Sequence, residues 1–233
     1  MSNAKPLMEL HNYQEARLKL FEDPHLRKVW LHPRAGDRPF SLPASKITIE
    51  SDFQTPALES FQQKIETRAA PAFKRLGEWD EREYFAITEW AVLHLIRNRK
   101  SRREFFSSPE DYNERFVSEF DKELRISLER YPIVDRYESV TNRFFVTSDH
   151  PVVELHPPDG SDYLRCFAVF PRVLLWFSAR HERPRFEIGI EDYSNAMAYA
   201  SCDQFVFSHR QGECIPQLAK IANEYQMFPV VEE

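Results

Sequence analysis

Glycine is scarce in this chain, with five residues in 233 against 16 prolines. That balance argues against glycine-rich loops and for turns stiffened by fixed φ angles. Cysteine is scarcer still. Cys166, Cys202 and Cys214 are odd in number and form no CxxC pair, so reduced thiols in a reducing compartment are expected. Positive charge is not in excess. A net charge of −6 disfavours a broad surface for the nucleic-acid backbone, which needs clustered Lys and Arg. Long apolar runs are missing too. Residues 1–10 lack the apolar core of a secretory signal. The most apolar stretch, 166–179, is interrupted by Pro171 and Arg172 and is too short to span a bilayer. A cytoplasmic protein with no membrane partner is therefore expected. The sequence holds no Walker loop, GxGxxG, HExxH or GxSxG, and no Cys–His pair at zinc-finger spacing. The enzyme classes those motifs mark are left without support.

What is present is an ordinary globular composition, 42% hydrophobic and 29% charged, with 19 phenylalanines. A chain of this length buries a core without disulfides or metals. Helical signals fill the first half. Residues 12–21 predict a first helix with Leu18 and Phe21 inward. Thr55 as N-cap and Pro56 at the first position open a second, with Leu58, Phe61, Ile65, Ala69, Ala72 and Leu76 at helical spacing. Pro71 marks a kink or break near its end, and Gly77 its stop. Asp80 and Glu83 resemble a capping box for a helix over 81–97, apolar nearly all round in its second half. Ser108 and Pro109 open another, with Phe116, Phe120, Leu124 and Leu128 inward.

Strand signals fill the second half: 143–147, 152–155, 164–170, 173–177, 186–190 and 205–208, with helices near 192–201 and 214–225. Short strands are also expected at 27–32 and 46–50. The prediction is an α+β fold, a helix-rich N-terminal half packed on a mainly antiparallel sheet from the C-terminal half. One domain over 1–233 is expected, with residues 131–142 as the only candidate seam.

Several motifs carry a resemblance. They are His11 to Phe21, Val29-Trp30-Leu31, Leu58-Glu59 with Ile65-Glu66-Thr67, Arg97 at the end of a buried helix, Phe145 to Val152, and Asn195. Their order and spacing resemble the domain-of-unknown-function 4238 family over nearly the whole chain. Gln14 stands where that family has proline, Asn98 and Arg99 replace its Thr and Pro, and His150 stands where it commonly has Asn. The resemblance implies no particular reaction. It nominates His11, Glu59, Glu66, Arg97, Asp149 and Asn195.

Each nominee has a functional and a structural reading. Glu59, Gln62 and Glu66 share one helical stripe, either a pair of carboxylates aimed into a cleft or a solvated edge. Trp90, His94 and Arg97 share another, where Arg97 is an anion site or half of a structural ion pair. Asp149 acts on a ligand at a strand end or fixes a turn. Asn195 binds a ligand or pins a loop. His11 is a base or ligand able to change charge near neutral pH, or the anchor of the first helix. The basic run 97–103, with Phe105 and Phe106, binds phosphate or is a solvated helix end.

Two functional hypotheses follow. In the first, towards which the sequence leans, these residues converge in a pocket of a hydrolase-type, phosphodiester-acting protein. His11, Glu59 and Asp149 serve catalysis, Glu66, Arg97 and Asn195 bind a small anionic ligand, and a divalent metal is compatible. In the second, they only hold the fold together, and the chain is a non-enzymatic binding or immunity-type module that meets a protein partner through its surface.

Overall fold

A computed structural model describes residues 18–47, 54–75, 79–97, 99–140, 143–155, 164–179, 188–211, 214–225 and 227. Among the described residues, six helices and two antiparallel four-stranded sheets make up an α+β fold. The helices are α1 (Pro56–Arg75), α2 (Glu81–Arg97), α3 (Arg99–Phe105), α4 (Pro109–Arg130), α5 (Ile190–Ser201) and α6 (Cys214–Glu224). The strands are β1 (Val29–Pro33), β2 (Phe40–Leu42), β3 (Ile133–Glu138), β4 (Thr147–Ser148), β5 (Val153–Leu155), β6 (Leu164–Phe170), β7 (Val173–Ser178) and β8 (Phe205–Ser208). One sheet runs β2-β1-β8-β4 and the other β3-β7-β6-β5. The strands thus divide between two sheets, and the first takes β1 and β2 from the N-terminal half.

The capping signals act as the sequence predicts. Thr55 Oγ1 accepts from Leu58 N–H at 3.3 Å, and Ser108 Oγ from Asp111 N–H at 3.2 Å. Asp80 and Glu83 bond reciprocally, side chain to backbone, at 2.9 and 3.1 Å. Helix α1 runs through Pro71 to Arg75. Gly189 caps α5 with φ of 81°, a backbone angle that side chains with a Cβ rarely adopt.

The apolar alternation of β6 and β7 organises the interior. Phe167, Val169, Leu175 and Phe177 pack with α1, α2 and α4, through Ile65, Ala69, Trp90, Leu93 and Phe116 among others. Cys166, Ala168, Leu174 and Trp176 face the opposite way. They pack with β1, Phe207 and the inner face of α5. Both faces of these strands are therefore buried, so the two runs read as almost continuously apolar.

Other expectations are corrected locally. Within the candidate seam, Ile133–Glu138 form β3, paired with β7 over six positions. Strand β2 lies at Phe40–Leu42; the expected 46–50 strand lies mostly outside the described residues, and its Lys46 ends a turn of 3-10 helix over Ala44–Lys46. Of the basic run, Arg97 belongs to α2 and residues 99–103 to α3. The first helix, expected over 12–21, lies mostly outside the described residues; Lys19–Phe21 forms a 3-10 turn, with Leu18 and Phe21 buried. The expected strand at 186–190 lies mostly outside the described residues, and Ile190 already belongs to α5.

Candidate functional site

Helices α1 and α2 form an antiparallel hairpin, and among the described residues three Arg–Glu pairs cross it. Arg75 meets Glu83 near the connecting loop. Farther along, Arg68 Nη2 lies 2.7 Å from Glu89 Oε1, and Arg97 Nη1 lies 2.8 Å from Glu66 Oε1. The last pair is dry, with side chains 4% and 14% exposed. Its N–H does not point along the contact, so the attraction is electrostatic without an aligned hydrogen bond. Gln62 Oε1 accepts from Arg97 at 3.4 Å, and Gln62 Nε2 reaches the Tyr112 hydroxyl of α4 at 3.4 Å. His94 lies 3.2 Å from Arg97 and stacks on Trp90 with ring centroids 3.9 Å apart. Burial pushes the Tyr112 hydroxyl up, opposed by the Arg97 charge. This network ties α1, α2 and α4 together across the helical layer.

The other nominees stand elsewhere. Asp149 follows β4, and its carboxylate accepts backbone N–H bonds from Asp203 at 2.9 Å, Gln204 at 2.6 Å and Phe205 at 3.2 Å. It thereby holds the turn that opens β8. Burial pushes its carboxyl up to about 6 against the downward pull of those three N–H groups. Asn195 in α5 accepts from Val146 N–H at 2.9 Å and donates to the Phe144 carbonyl at 2.8 Å. Its amide completes the backbone of a segment that forms no strand there. Glu59 is exposed on the first turn of α1, and His11 lies outside the described residues. Among the described contacts, Glu66 and Arg97 are the nominees that meet. No group of three His, Cys, Asp or Glu among the described residues is placed to hold a metal ion.

Sequence reasoning passed over four buried polar groups. Arg165, 8% exposed in β6, reaches Glu154 at 2.8 Å, Glu123 at 2.7 Å and Ser127 at 2.5 Å, and lies over the Tyr131 ring. The signal was a charge inside an otherwise apolar strand, which burial obliges to find partners. Glu191 accepts from Tyr137 Oη at 3.1 Å and Ser139 Oγ at 2.9 Å. His32 in β1 sits 2.9 Å from Ser208 Oγ, which donates its proton to the Arg210 carbonyl at 2.6 Å. His32 Nε2 must then be the donor, and the bare Nδ1 is buried without a partner. Nothing in the strand pattern marked it.

Glu89 is the fourth. It lies among the buried residues of α2, 6% exposed. One oxygen is paired with Arg68 and Oε2 is buried without a hydrogen-bond partner. Burial pushes this carboxyl up, with Arg68 opposing. Glu89 lines a surface groove of about 470 Å³ together with Arg68, Glu81, Arg82, Phe85 and Ala86. Phe85 is 42% exposed here.

No family model, curated protein or solved structure matches the chain. The resemblance to the domain-of-unknown-function 4238 family rests on the motifs alone. No helix among the described residues is long and apolar enough to cross a membrane.

Proposed function

We propose that this chain acts by binding rather than by catalysing a reaction, and that the α1–α2 groove is the surface it uses. The supporting observation is the groove itself. There a half-exposed phenylalanine ring stands beside a carboxylate with one unpartnered oxygen. Apolar area with a few converging polar groups is what recognition needs. By contrast, the Asp149 carboxylate and the Asn195 amide are taken up by backbone groups, and the Arg97–Glu66 pair is packed between helices. An aromatic side chain at the centre of such a surface is the usual anchor.

The test replaces Phe85 with a photo-crosslinking phenylalanine in cells, with the same residue at exposed Asp121 on α4 as control. A discrete adduct at position 85, absent at 121, supports the reading. Turnover of a simple phosphodiester with a divalent cation, lost on changing Asp149 or Glu59, would overturn it and restore the catalytic alternative.

A further inference from the structure

We infer that the α1–α2 groove recognises a cationic side chain, the guanidinium or ammonium of an arginine or lysine on a partner peptide, with Glu89 as its acceptor and Phe85 as its platform. The inference rests on the binding role proposed above and specifies its ligand.

Geometry carries the argument. Glu81, Arg82, Phe85, Ala86 and Glu89 form a continuous strip on α2, since residues three and four apart share a helix face. Arg68 of α1 stands across from the strip, and its guanidinium holds one Glu89 oxygen at 2.7 Å. Arg68 lines the same groove, which places the Glu89 carboxylate at the groove wall. A carboxylate accepts hydrogen bonds on both oxygens. Here the second oxygen has none, in a side chain only 8% exposed, and leaving such a group unmet costs stability. One arginine does not offset the burial of Glu89, whose carboxyl is still pushed up. The site is therefore short of positive charge. Arg68 itself is 55% exposed and long, so it can swing aside and admit a second donor to the buried oxygen.

The surroundings select the ligand further. The half-exposed Phe85 ring lies one helical turn from Glu89, positioned for a cation above its face. Glu81 adds a second negative charge at the groove rim. A net charge of −6 for the whole chain favours the approach of a basic partner. Arg82, at the same rim, disfavours a bare divalent cation and suits a peptide whose carbonyls or acidic neighbours it can meet.

The probe is N-acetyl-arginine amide, titrated into the full chain and followed by backbone amide NMR, with N-acetyl-norleucine amide as the uncharged control. Saturable shifts at Phe85, Ala86 and Glu89 with the arginine compound, and none with the norleucine compound, are expected. Glu89→Gln keeps the shape of the side chain and removes its charge, and is expected to weaken binding about tenfold. Phe85→Leu is expected to weaken it less while leaving thermal stability unchanged. Absence of saturable shifts, or equal affinity in wild type and Glu89→Gln, overturns the cation assignment. The binding role is judged separately by the crosslink at position 85. An adduct there with no arginine binding would mean a binding protein with a different ligand.

Discussion

His32 shows how a single residue sets a dependence on pH. It is 1% exposed, its Nε2 proton is committed to Ser208, and its Nδ1 faces no partner. Protonating Nδ1 would bury a charge and an unmet donor together, and burial holds this histidine down at about 4. His209, packed edge-on against Phe144, is likewise held at about 4, by burial and by Arg210. For both, the unfolded chain binds more protons than the folded one between about 4 and the ordinary 6.5. Stability is therefore lost as pH falls through that window. Asp149 has the opposite sign. Its folded value of about 6 exceeds the ordinary 3.8, so it adds stability as pH falls from 6 towards 4. Two histidines outweigh one aspartate, and net acid destabilisation is expected. His32→Gln keeps an N–H for Ser208 and removes the titration. Its loss of stability between about pH 7 and about pH 5 should be smaller than that of wild type by about 2 kcal/mol, read from urea unfolding at the two values. An unchanged difference would mean that His32 does not carry the effect.

The α1–α2 hairpin is the most informative element. Its three Arg–Glu pairs grade from wet to dry, because the arginine is 63% exposed at Arg75, 55% at Arg68 and 4% at Arg97. Coulomb attraction is screened at the wet end and desolvation dominates at the dry end, so the pairs differ in consequence. Glu83→Gln, which keeps the cap on Asp80, should cost less than about 1 kcal/mol in chemical denaturation. Arg97→Ala strands Glu66 between helices and should cost about 3–5 kcal/mol. Equal costs would remove the distinction.

Much of this element was legible in sequence, since Thr55 and Asp80 are local signals whose bonds lie within one helical turn. Strand β3 was not. Its Asp135, Arg136 and Glu138 break the apolar alternation, as suits an edge strand with a single neighbour, so it read as a seam. The nominated residues were legible only as a list. Their partners, such as Glu66 for Arg97 or the 203–205 backbone for Asp149, depend on distant chain that no local pattern specifies. Glu89 was hidden by its neighbours, since one acid in an apolar helix looks like the edge of a stripe.

At the scale of the molecule, β6 and β7 are the wall between two apolar layers, and each strand lends alternate side chains to both. Opening them exposes both layers at once, so their amides should exchange only through global unfolding. Hydrogen exchange should rank β6 and β7 slowest, with the short edge strands β2 and β4 well ahead. Slower exchange in β1 and β8 than in β6 and β7 would contradict that ranking. The sheet that joins β1 to β8 has a different consequence, for the chain as it is made. Trp30 pairs with Ser208 and Leu31 with Phe207, so β1 leaves the ribosome long before its central partner exists. The α1–α2 hairpin closes on itself as soon as residue 97 emerges. During that interval β1 has β2 on one side only, and its β8-facing edge stays open beside apolar Val29 and Leu31, which makes it a natural handhold for a chaperone and a place where a truncated chain would aggregate.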